Sequence, residues 1–178
     1  MPAAARLTAQ PRLRSFAPVA RADARVLILG SMPGAASLAA REYYAHPHNQ
    51  FWPIMQQLCG VPRSLPYRRR LEGLQRQHIA LWDVLHSCLR RGSLDAAIEH
   101  HSAIPNDLPR LLRTHRHITR LCCNGGTAYR SLQRHFGPLL RREFPQLQCL
   151  RLPSTSPAHA GMRFEAKLAA WRAALKDA

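Results

Sequence analysis

Four short runs of apolar residues are spaced along the chain. They are "RVLILG" (25–30), "HIALWDVL" (78–85), "HITRLCCNG" (117–125) and "LQCLRLPS" (147–154). Each run is nearly continuous, without strict alternation of apolar and polar positions, and such runs are typical of strands buried on both faces of a parallel sheet. The first and third runs end in glycine or polar turn residues. The pattern therefore predicts a buried parallel sheet.

Segments with helical patterns lie between and after these runs. In "NQFWPIMQQLCG" (49–60), Pro53 suits a first helical turn and Gly60 suits a helix end. In "PNDLPRLLRTH" (105–115), Asn106 or Asp107 is the predicted N-cap. The others are "SLPYRRRLEGLQRQ" (64–77), "GTAYRSLQRHFG" (126–137), which is expected to close at Gly137, and "GMRFEAKLAAWRAAL" (161–175). Alternating strands and helices predict one three-layer α/β/α domain over 1–178 with right-handed crossovers.

The residues that follow the predicted strands are polar or rich in glycine. They are "GSMPG" (30–34), Asp83, "NGG" (124–126) and "PSTSPAHAG" (153–161). In open parallel sheets, ligands bind outside the carboxyl ends of the strands. The four segments are therefore predicted to converge on one ligand-binding crevice.

The net charge of the chain indicates that this α/β domain has an anionic partner. The chain has 178 residues and a net charge of +16, with 26 basic residues against 10 acidic ones. A GC-rich coding bias explains why most of the basic residues are arginine, but it does not explain the shortage of acids. The balance favours nucleic acid as the partner. No apolar stretch is long enough to predict a membrane span.

The N-terminal segment and the cysteines were considered for targeting and redox chemistry. Residues 1–22 are basic, as in a transit peptide, but the Phe and Pro of "RSFAPVA" (14–20) suit packing, which favours an ordered basic N-terminal arm. The five cysteines include no C-x-x-C pair, which argues against a disulfide framework or a metal site. A reducing cytoplasm is expected.

Each candidate site segment has a functional and a purely structural interpretation. "GSMPG" lacks the spacing of nucleotide-binding loops, so it is either a tight turn that approaches a ligand or a turn alone. "PSTSPAHAG" suits phosphate contacts through hydroxyl and N–H groups, or is an ordinary loop. Asn124 can present a donor and an acceptor to a base edge, or can end a strand. For Asp83, a structural ion pair with an arginine is favoured over catalysis.

The ring-rich segment "YYAHPHNQFW" (43–52) raises the question of a nucleophile. The only lysines are Lys167 and Lys176, and neither lies in a candidate site segment. A lysine Schiff base is therefore not expected. If the reaction takes place on a nucleoside, water should be the nucleophile, and His48 and Asn49 are the polar candidates to hold it.

Taken in order, four stretches of the chain resemble the uracil-DNA glycosylase superfamily, above all its hypoxanthine-DNA glycosylase (DNA-deoxyinosine glycosylase) branch. They are "LILGSMPGAASL" (27–38), "YYAHPHNQFWPIM" (43–55), "LCCNGG" (121–126) and "LPSTSPAHAG" (152–161). The resemblance covers most of the chain, from about Arg14 to Trp171. It implies an α/β/α fold around a four-stranded sheet and no metal or other cofactor.

The resemblance also implies roles for individual residues. Asn49 matches the catalytic asparagine of this branch, and Tyr44 matches the ring that stacks on the flipped base. Met32 stands where related mismatch-specific enzymes have a water-holding asparagine, and Leu152 stands where uracil-specific enzymes have a histidine. The remaining matches are Gly30, Ser31, Met32 and Asn124 at the base, and Ser154, Thr155, Ser156 and His159 at the DNA backbone.

The function implied is that of a monofunctional DNA glycosylase of base excision repair. It would flip out a deaminated base, above all hypoxanthine, and hydrolyse its N-glycosidic bond. A uracil- or mismatch-specific glycosylase and a non-catalytic nucleic-acid-binding module stay open as alternatives. DNA containing a damaged base is the expected partner of a monomer, which would be bacterial-type, cytoplasmic and associated with the nucleoid through DNA.

Overall fold

A four-stranded parallel sheet forms the centre of the protein, whose computed structural model describes residues 11–176. The strand order is β3-β2-β6-β7, and the register pairs Val26 with Ile79 on one side and with Arg120 on the other. The strands are β2 (Val26–Gly30), β3 (Ile79–Asp83), β6 (Arg120–Asn124) and β7 (Gln148–Leu152). Each of the four apolar runs contains one of these strands, so the predicted parallel sheet is confirmed.

Helices cover both faces of the sheet because alternate strand residues point to opposite sides. Leu27 and Leu29 belong to one apolar cluster, which includes residues of α4 and α5, while Val26 and Ile28 belong to a second, which includes residues of α2, α3 and α6. The helices are α1 (Ala35–Ala40), α2 (Phe51–Cys59), α3 (Tyr67–Arg76), α4 (Leu108–Thr114), α5 (Gly126–Glu143) and α6 (Phe164–Leu175). The three-layer α/β/α architecture is therefore confirmed.

A second, smaller sheet was not predicted from the sequence. It is three-stranded and antiparallel, in the order β1 (Leu13–Arg14), β4 (Leu85–Cys88) and β5 (Ile104–Pro105). The run 78–85 is therefore not a single strand, since it ends one strand and begins the next. Asn106 marks this break: its Nδ2 donates to the carbonyl of Asp83 at 2.8 Å, and its backbone N–H donates to the carbonyl of Val84 at 2.9 Å.

Two helix ends lie where the sequence predicted them, and a third does not. Gly60 ends α2 in a left-handed conformation (φ 62°), and Asp107 is the N-cap of α4, where its Oδ1 accepts from the backbone N–H of Arg110 at 3.1 Å. The expectation that the helix after 126 closes at Gly137 is wrong. α5 continues to Glu143 with Pro138 inside it, because Leu140 is buried in the apolar cluster on one face of the sheet.

The described part of the N-terminal segment packs along the edge of the domain. Trp82 Nε1 donates to the carbonyl of Phe16 at 3.0 Å, and Val19 and Leu81 exchange backbone hydrogen bonds of 2.9 Å. Residues 1–10 of the predicted arm lie outside the described residues. None of the helices within 11–176 combines the length and apolar character needed to cross a lipid bilayer.

Candidate active site

A cleft of about 940 Å³ opens at the carboxyl edge of the parallel sheet. The residues predicted to converge there do so. The turn after β2, Asp83 at the end of β3, Asn124 at the end of β6 and the segment 153–159 after β7 all line it, together with Tyr44 and Asn49 from the segment before α2. The wall formed by Ser93, Leu94 and Asp95 was not predicted.

The turn "GSMPG" is held in shape by a buried arginine. Arg90 donates from Nη2 to the carbonyl of Pro33 at 2.6 Å, from Nη1 to that of Met32 at 3.4 Å, and from Nε to that of Gly92 at 3.0 Å. Its side chain is fully buried. Because the guanidinium satisfies carbonyls of both segments, it joins the turn to the unpredicted wall and keeps both in fixed positions.

The unpredicted wall, residues 93–95, makes its own contacts with the turn. Ser31 Oγ donates to Asp95 Oδ2 at 2.6 Å, and the backbone N–H of Ala35 donates to Ser93 Oγ at 3.1 Å. Burial raises the pKa of Asp95, and the Ser31 hydrogen bond and the Arg90 charge oppose that rise. The only sequence signal for this wall was the "GSLD" segment at 92–95, whose glycine and serine read as an ordinary turn.

Tyr44 is held in a conformation that a tyrosine rarely adopts. Its φ is 57°, in the left-handed region, and its ring stacks on Phe51 with centroids 3.9 Å apart. Phe51 therefore covers one face of the ring that was expected to stack on a base. The Tyr44 hydroxyl is buried; burial and the nearby Asp83 raise its pKa, and hydrogen bonding with the Asn124 side chain opposes the rise. Phe51 and Trp52 are core residues, 0% and 4% exposed.

Asn49 lies directly before α2 with its carboxamide at the cleft. Its Oδ1 accepts from the backbone N–H of Phe51 at 3.0 Å, and its own N–H donates to the carbonyl of His46 at 2.8 Å. The carbonyl oxygen thus has a fixed direction and a second lone pair, with which it can accept from a water molecule. The structure places the predicted catalytic side chain at the cleft, and its role there stays a prediction.

Asn124 makes its hydrogen bonds inside the protein. Its Nδ2 donates to Thr155 Oγ1 at 2.9 Å, and its Oδ1 accepts from the Thr155 backbone N–H at 2.9 Å. The same carboxamide also hydrogen-bonds with the Tyr44 hydroxyl. The side chain lines the cleft as expected, but its main contacts hold the segment after β7 in place.

The segment 153–161 is fixed from several sides, and Thr155 is at its centre. Thr155 is fully buried, and its carbonyl accepts from the backbone N–H of Gln50 at 2.9 Å. At the other end, the Lys167 Nζ donates to the carbonyl of His159 at 2.8 Å. Lys167 is 2% exposed, and burial lowers its pKa. No lysine lies in the cleft segments, but one supports a cleft segment from behind.

Positive charge surrounds the beginning of α5, next to this segment. Arg130 and Arg151 line the cleft, and a methyl group added at Gly126 would meet their guanidinium groups at 3.0 and 3.2 Å. The N-terminal end of a helix carries partial positive charge and unpaired N–H groups. Together these features can hold an anionic group such as a phosphate. Neither arginine was predicted, because the sequence alone does not show which of so many arginines meet.

The histidines divide between the cleft and the surface. His46 and His159 line the cleft, whereas His48 is exposed outside it. The Nδ1 of His46 accepts from the backbone N–H of His48 at 3.1 Å. His48, one of the two residues proposed to hold water, is therefore placed away from the cleft, and Asn49 is placed in it.

Asp83 is buried, at 3% exposure, and lines the cleft. The ion pair expected for it is absent: among residues 11–176, no basic nitrogen lies within 4.0 Å of its carboxyl group, and its Oδ2 has no hydrogen-bond partner. Burial, followed by the nearby Asp95 charge, raises the pKa of Asp83 to about 8, while Arg90 opposes the rise. The group is therefore mostly neutral at pH 7.

The family model of the uracil DNA glycosylase superfamily matches residues 17–177, which is most of the chain. The chain belongs to this superfamily. The membership expected from the four motifs is confirmed, and the cleft described above is the part of a superfamily fold where those motifs meet.

Relatives within the superfamily agree with this placement. A "Hypoxanthine DNA glycosylase" of Methanosarcina acetivorans is 32% identical over 147 residues, 82% of this chain and 87% of that protein. Another of the same name, from Methanosarcina barkeri, is 40% identical over 87 residues. That match spans 48% of this chain and about half of that relative, 55%.

A solved structure of the superfamily has the same architecture. It is the solution NMR structure of a protein from Methanosarcina acetivorans described as a candidate uracil DNA glycosylase. The TM-score is 0.78 at 28% identity, and the match covers 93% of this chain and 98% of that one. The fold predicted from the apolar pattern is therefore shared with a protein solved by experiment.

Proposed function

We propose that the protein is a monofunctional DNA glycosylase that removes hypoxanthine from deoxyinosine in DNA as the first step of base excision repair. The proposal rests most on Asn49, whose carboxamide lies in the cleft with its carbonyl oxygen oriented by the Phe51 N–H. The names of the curated relatives support hypoxanthine as the base. The site of action would be the chromosome, and the protein would act there as a monomer.

DNA would bind through its phosphates to the basic rim of the cleft. Ser154, Ser156 and His159 would contact the backbone beside the flipped nucleotide, and Arg130 and Arg151 would add charge. Such contacts position the duplex without reading its sequence. The target base would leave the stack at a cost of a few kcal/mol, which is lower at a mispaired or damaged base.

The flipped base would lie between the turn after β2 and the side chain of Tyr44. Gly30, Ser31 and Met32 line that end of the cleft, and Asn124 lines it at the end of β6. Gly30 is needed there because a Cβ at this position would collide with the Asp83 carboxyl group.

Hydrolysis would proceed through positioning and charge stabilisation. The C1′–N9 bond breaks, its electron pair moves onto the purine, and the sugar becomes oxocarbenium-like. Asn49 would hold the water that adds to C1′, so that the hydroxyl joins the sugar and the proton goes to the departing base. Asparagine is a weak base, but a loose cationic transition state depends more on the position of the water than on removal of its proton.

Single-turnover cleavage of a deoxyinosine duplex by the wild-type and Asn49→Ala proteins tests this assignment, with abasic sites read by alkaline cleavage. We expect Asn49→Ala to lose on the order of 10²- to 10³-fold in rate, comparable to removal of one preorganised group. His48→Ala is the matched control, because His48 is the exposed neighbour outside the cleft. A folded Asn49→Ala protein that cleaves at the wild-type rate would show that another residue holds the water.

A uracil glycosylase is the second candidate, since the family and the similar solved structure carry that description. A panel of duplexes with hypoxanthine, uracil, xanthine and mismatched thymine separates the two candidates by their relative rates. Binding of these duplexes without any abasic product would instead identify a non-catalytic nucleic-acid-binding module.

A further inference from the structure

Four large apolar side chains within 11–176 are well exposed to solvent. They are Leu65, Leu94, Ile104 and Met162, and Leu94 is the most exposed of them, at 58%. Of the four, Leu94 and Met162 line the cleft. Single exposed apolar residues are common on protein surfaces, so exposure alone assigns no role to Leu94. Its position in the wall 93–95 distinguishes it from an ordinary surface leucine.

Both chain neighbours of Leu94 are hydrogen-bonded to residues at the floor of the cleft. Ser93 Oγ accepts from the backbone N–H of Ala35 at 3.1 Å, and Asp95 Oδ2 accepts from Ser31 Oγ at 2.6 Å. Leu94 itself has an extended backbone, with φ −78° and ψ 131°. The wall therefore presents an exposed leucine from a fixed backbone, and a partner that contacts it orders little additional chain.

The surroundings of Leu94 suit DNA better than the apolar face of another protein. A protein interface has a contiguous apolar core, whereas Leu94 stands between Ser93 and Asp95. The same cleft is lined by Arg130 and Arg151, and the chain carries a net charge of +16. Duplex DNA combines phosphates, which such charges attract, with base steps between which a single apolar side chain fits.

We propose that Leu94 enters the base stack beside the flipped nucleotide when the protein binds damaged DNA. This inference rests on the proposed glycosylase function and adds a residue that positions the substrate. A flipped nucleotide leaves a gap in the stack. An apolar side chain in this gap keeps the neighbouring bases apart and prevents the target base from returning. Burial of the leucine offsets part of the stacking that is lost.

Leu94 lies outside the four motifs that carry the resemblance to the superfamily. The resemblance assigns the contacts with the DNA backbone to residues of 154–159, after β7, whereas Leu94 lies in the connection between β4 and β5. The duplex would therefore be held by two separate segments of the cleft. One would contact phosphates, and the other would make an apolar contact inside the stack.

2-Aminopurine placed next to deoxyinosine in a duplex tests the insertion directly, because its fluorescence rises when stacking is lost. A 2′-fluoro substituent on the deoxyinosine keeps the glycosidic bond intact during the measurement. We expect wild-type protein to raise the fluorescence and Leu94→Ala to lose most of that rise, while Leu94→Phe keeps it. Ile104→Ala is the matched control, since Ile104 is 49% exposed but does not line the cleft. A full rise with Leu94→Ala would overturn the proposal.

Single-turnover cleavage separates insertion from the chemical step. With deoxyinosine opposite deoxycytidine, we expect Leu94→Ala to be about 10-fold slower than wild type. Opposite an abasic-site analogue, the base is unpaired and flipping costs less, so the deficit should shrink to about 2-fold or less. The urea midpoint should not change, because Leu94 is exposed in the fold. An equal deficit on both duplexes would mean that Leu94 acts on the chemical step and not on the stack.

Failure of the proposed function has a different signature. If the wild-type protein forms no abasic site on any duplex of the hypoxanthine, uracil, xanthine and thymine panel, the glycosylase assignment itself is wrong. If the wild-type protein is active but Leu94→Ala matches it in rate and in fluorescence, only the insertion is wrong. A fluorescence rise that is lost in Met162→Ala and kept in Leu94→Ala would overturn the assignment to Leu94 and give the contact to Met162.

Discussion

A buried carboxyl group without a partner costs a fold less free energy while it keeps its proton, and Asp83 is such a group. In the unfolded chain an aspartate ionises near pH 4, whereas burial and Asp95 raise its pKa to about 8 in the folded protein. Between these two values the folded state binds more protons than the unfolded state. The contribution of Asp83 to stability is therefore fully present below about pH 4 and is lost as pH rises through 8.

At the scale of this residue, Asp83→Asn should flatten the dependence of stability on pH. The wild-type free energy of unfolding is expected to fall between pH 5 and pH 8 relative to that of Asp83→Asn, since the amide does not ionise. Urea unfolding followed by circular dichroism at both pH values measures the difference between the proteins. A difference that is the same at pH 5 and pH 8 would mean that Asp83 is ionised in the fold.

Single residues show what the sequence could and could not predict about the site. Asn49 and Tyr44 were placed correctly in the cleft because short motifs fix their positions relative to α2. The ion pair expected for Asp83 was wrong, because Arg90, the nearby arginine within 11–176, uses its donors on backbone carbonyls. Pairing between residues far apart in the chain depends on the tertiary fold, and an unaligned sequence does not show it.

At the scale of elements, the segment 153–161 is held to three neighbours. Thr155 connects it to β6 through Asn124 and to the start of α2 through Gln50, while Lys167 connects it to α6. A segment fixed in this way keeps its serine and N–H groups in place before DNA arrives. Preorganisation lowers the entropy lost on binding.

Lys167→Met should loosen this segment, because methionine fills most of the buried space but cannot donate to the His159 carbonyl. Loss of a charged hydrogen bond costs about 1.5–3 kcal/mol, so we expect lower stability, faster hydrogen exchange in 153–161 and weaker binding of a deoxyinosine duplex. Lys176→Met makes the same chemical change at an exposed position and should alter none of these. Unchanged exchange in 153–161 would mean that Thr155 alone holds the segment.

The type of each main helix and strand was predicted well from the sequence, but the residues at which the elements begin and end were predicted less well. The central strand β2 and its neighbour β3 follow directly from their apolar runs, since all their residues are buried, whereas the edge strand β7 keeps Gln148 and Arg151 exposed. The short pairs β1 and β5 have too few residues to show a pattern. α5 passes Gly137 and Pro138, where local preference favours a stop, because burial of Leu140 outweighs it.

At the scale of the whole molecule, the charge of +16 was the earliest indication of the partner. Charge of one sign over a surface attracts DNA regardless of sequence and makes binding sensitive to salt. The composition alone does not show which face of the protein contacts DNA. It follows from the fold, which brings Arg130 and Arg151 to the cleft and leaves other arginines elsewhere.

A matched pair of arginines on α5 tests this orientation. Arg130 lies in the first turns of the helix at the cleft, and Arg141 lies in its last turn, roughly 16 Å further along the axis at 1.5 Å per residue. Arg130→Ala should reduce the slope of log K against log salt for duplex binding by about 1, whereas Arg141→Ala should leave it unchanged. Fluorescence anisotropy across a salt series measures both. Equal slopes for the two variants would argue for diffuse attraction.

The small antiparallel sheet has a consequence for how this domain can change over time. Residues 89–103 connect β4 to β5, two adjacent strands in which Ser87 pairs with Ile104. This stretch begins and ends at neighbouring points, and it contributes Ser93, Leu94 and Asp95 to one wall of the cleft. The part of it that lines the cleft is therefore a natural cassette: evolution or an engineer can vary Ser93 and Leu94 to change the substrate, while Arg90 continues to hold the turn after β2 and the parallel sheet and Asn49 stay as they are.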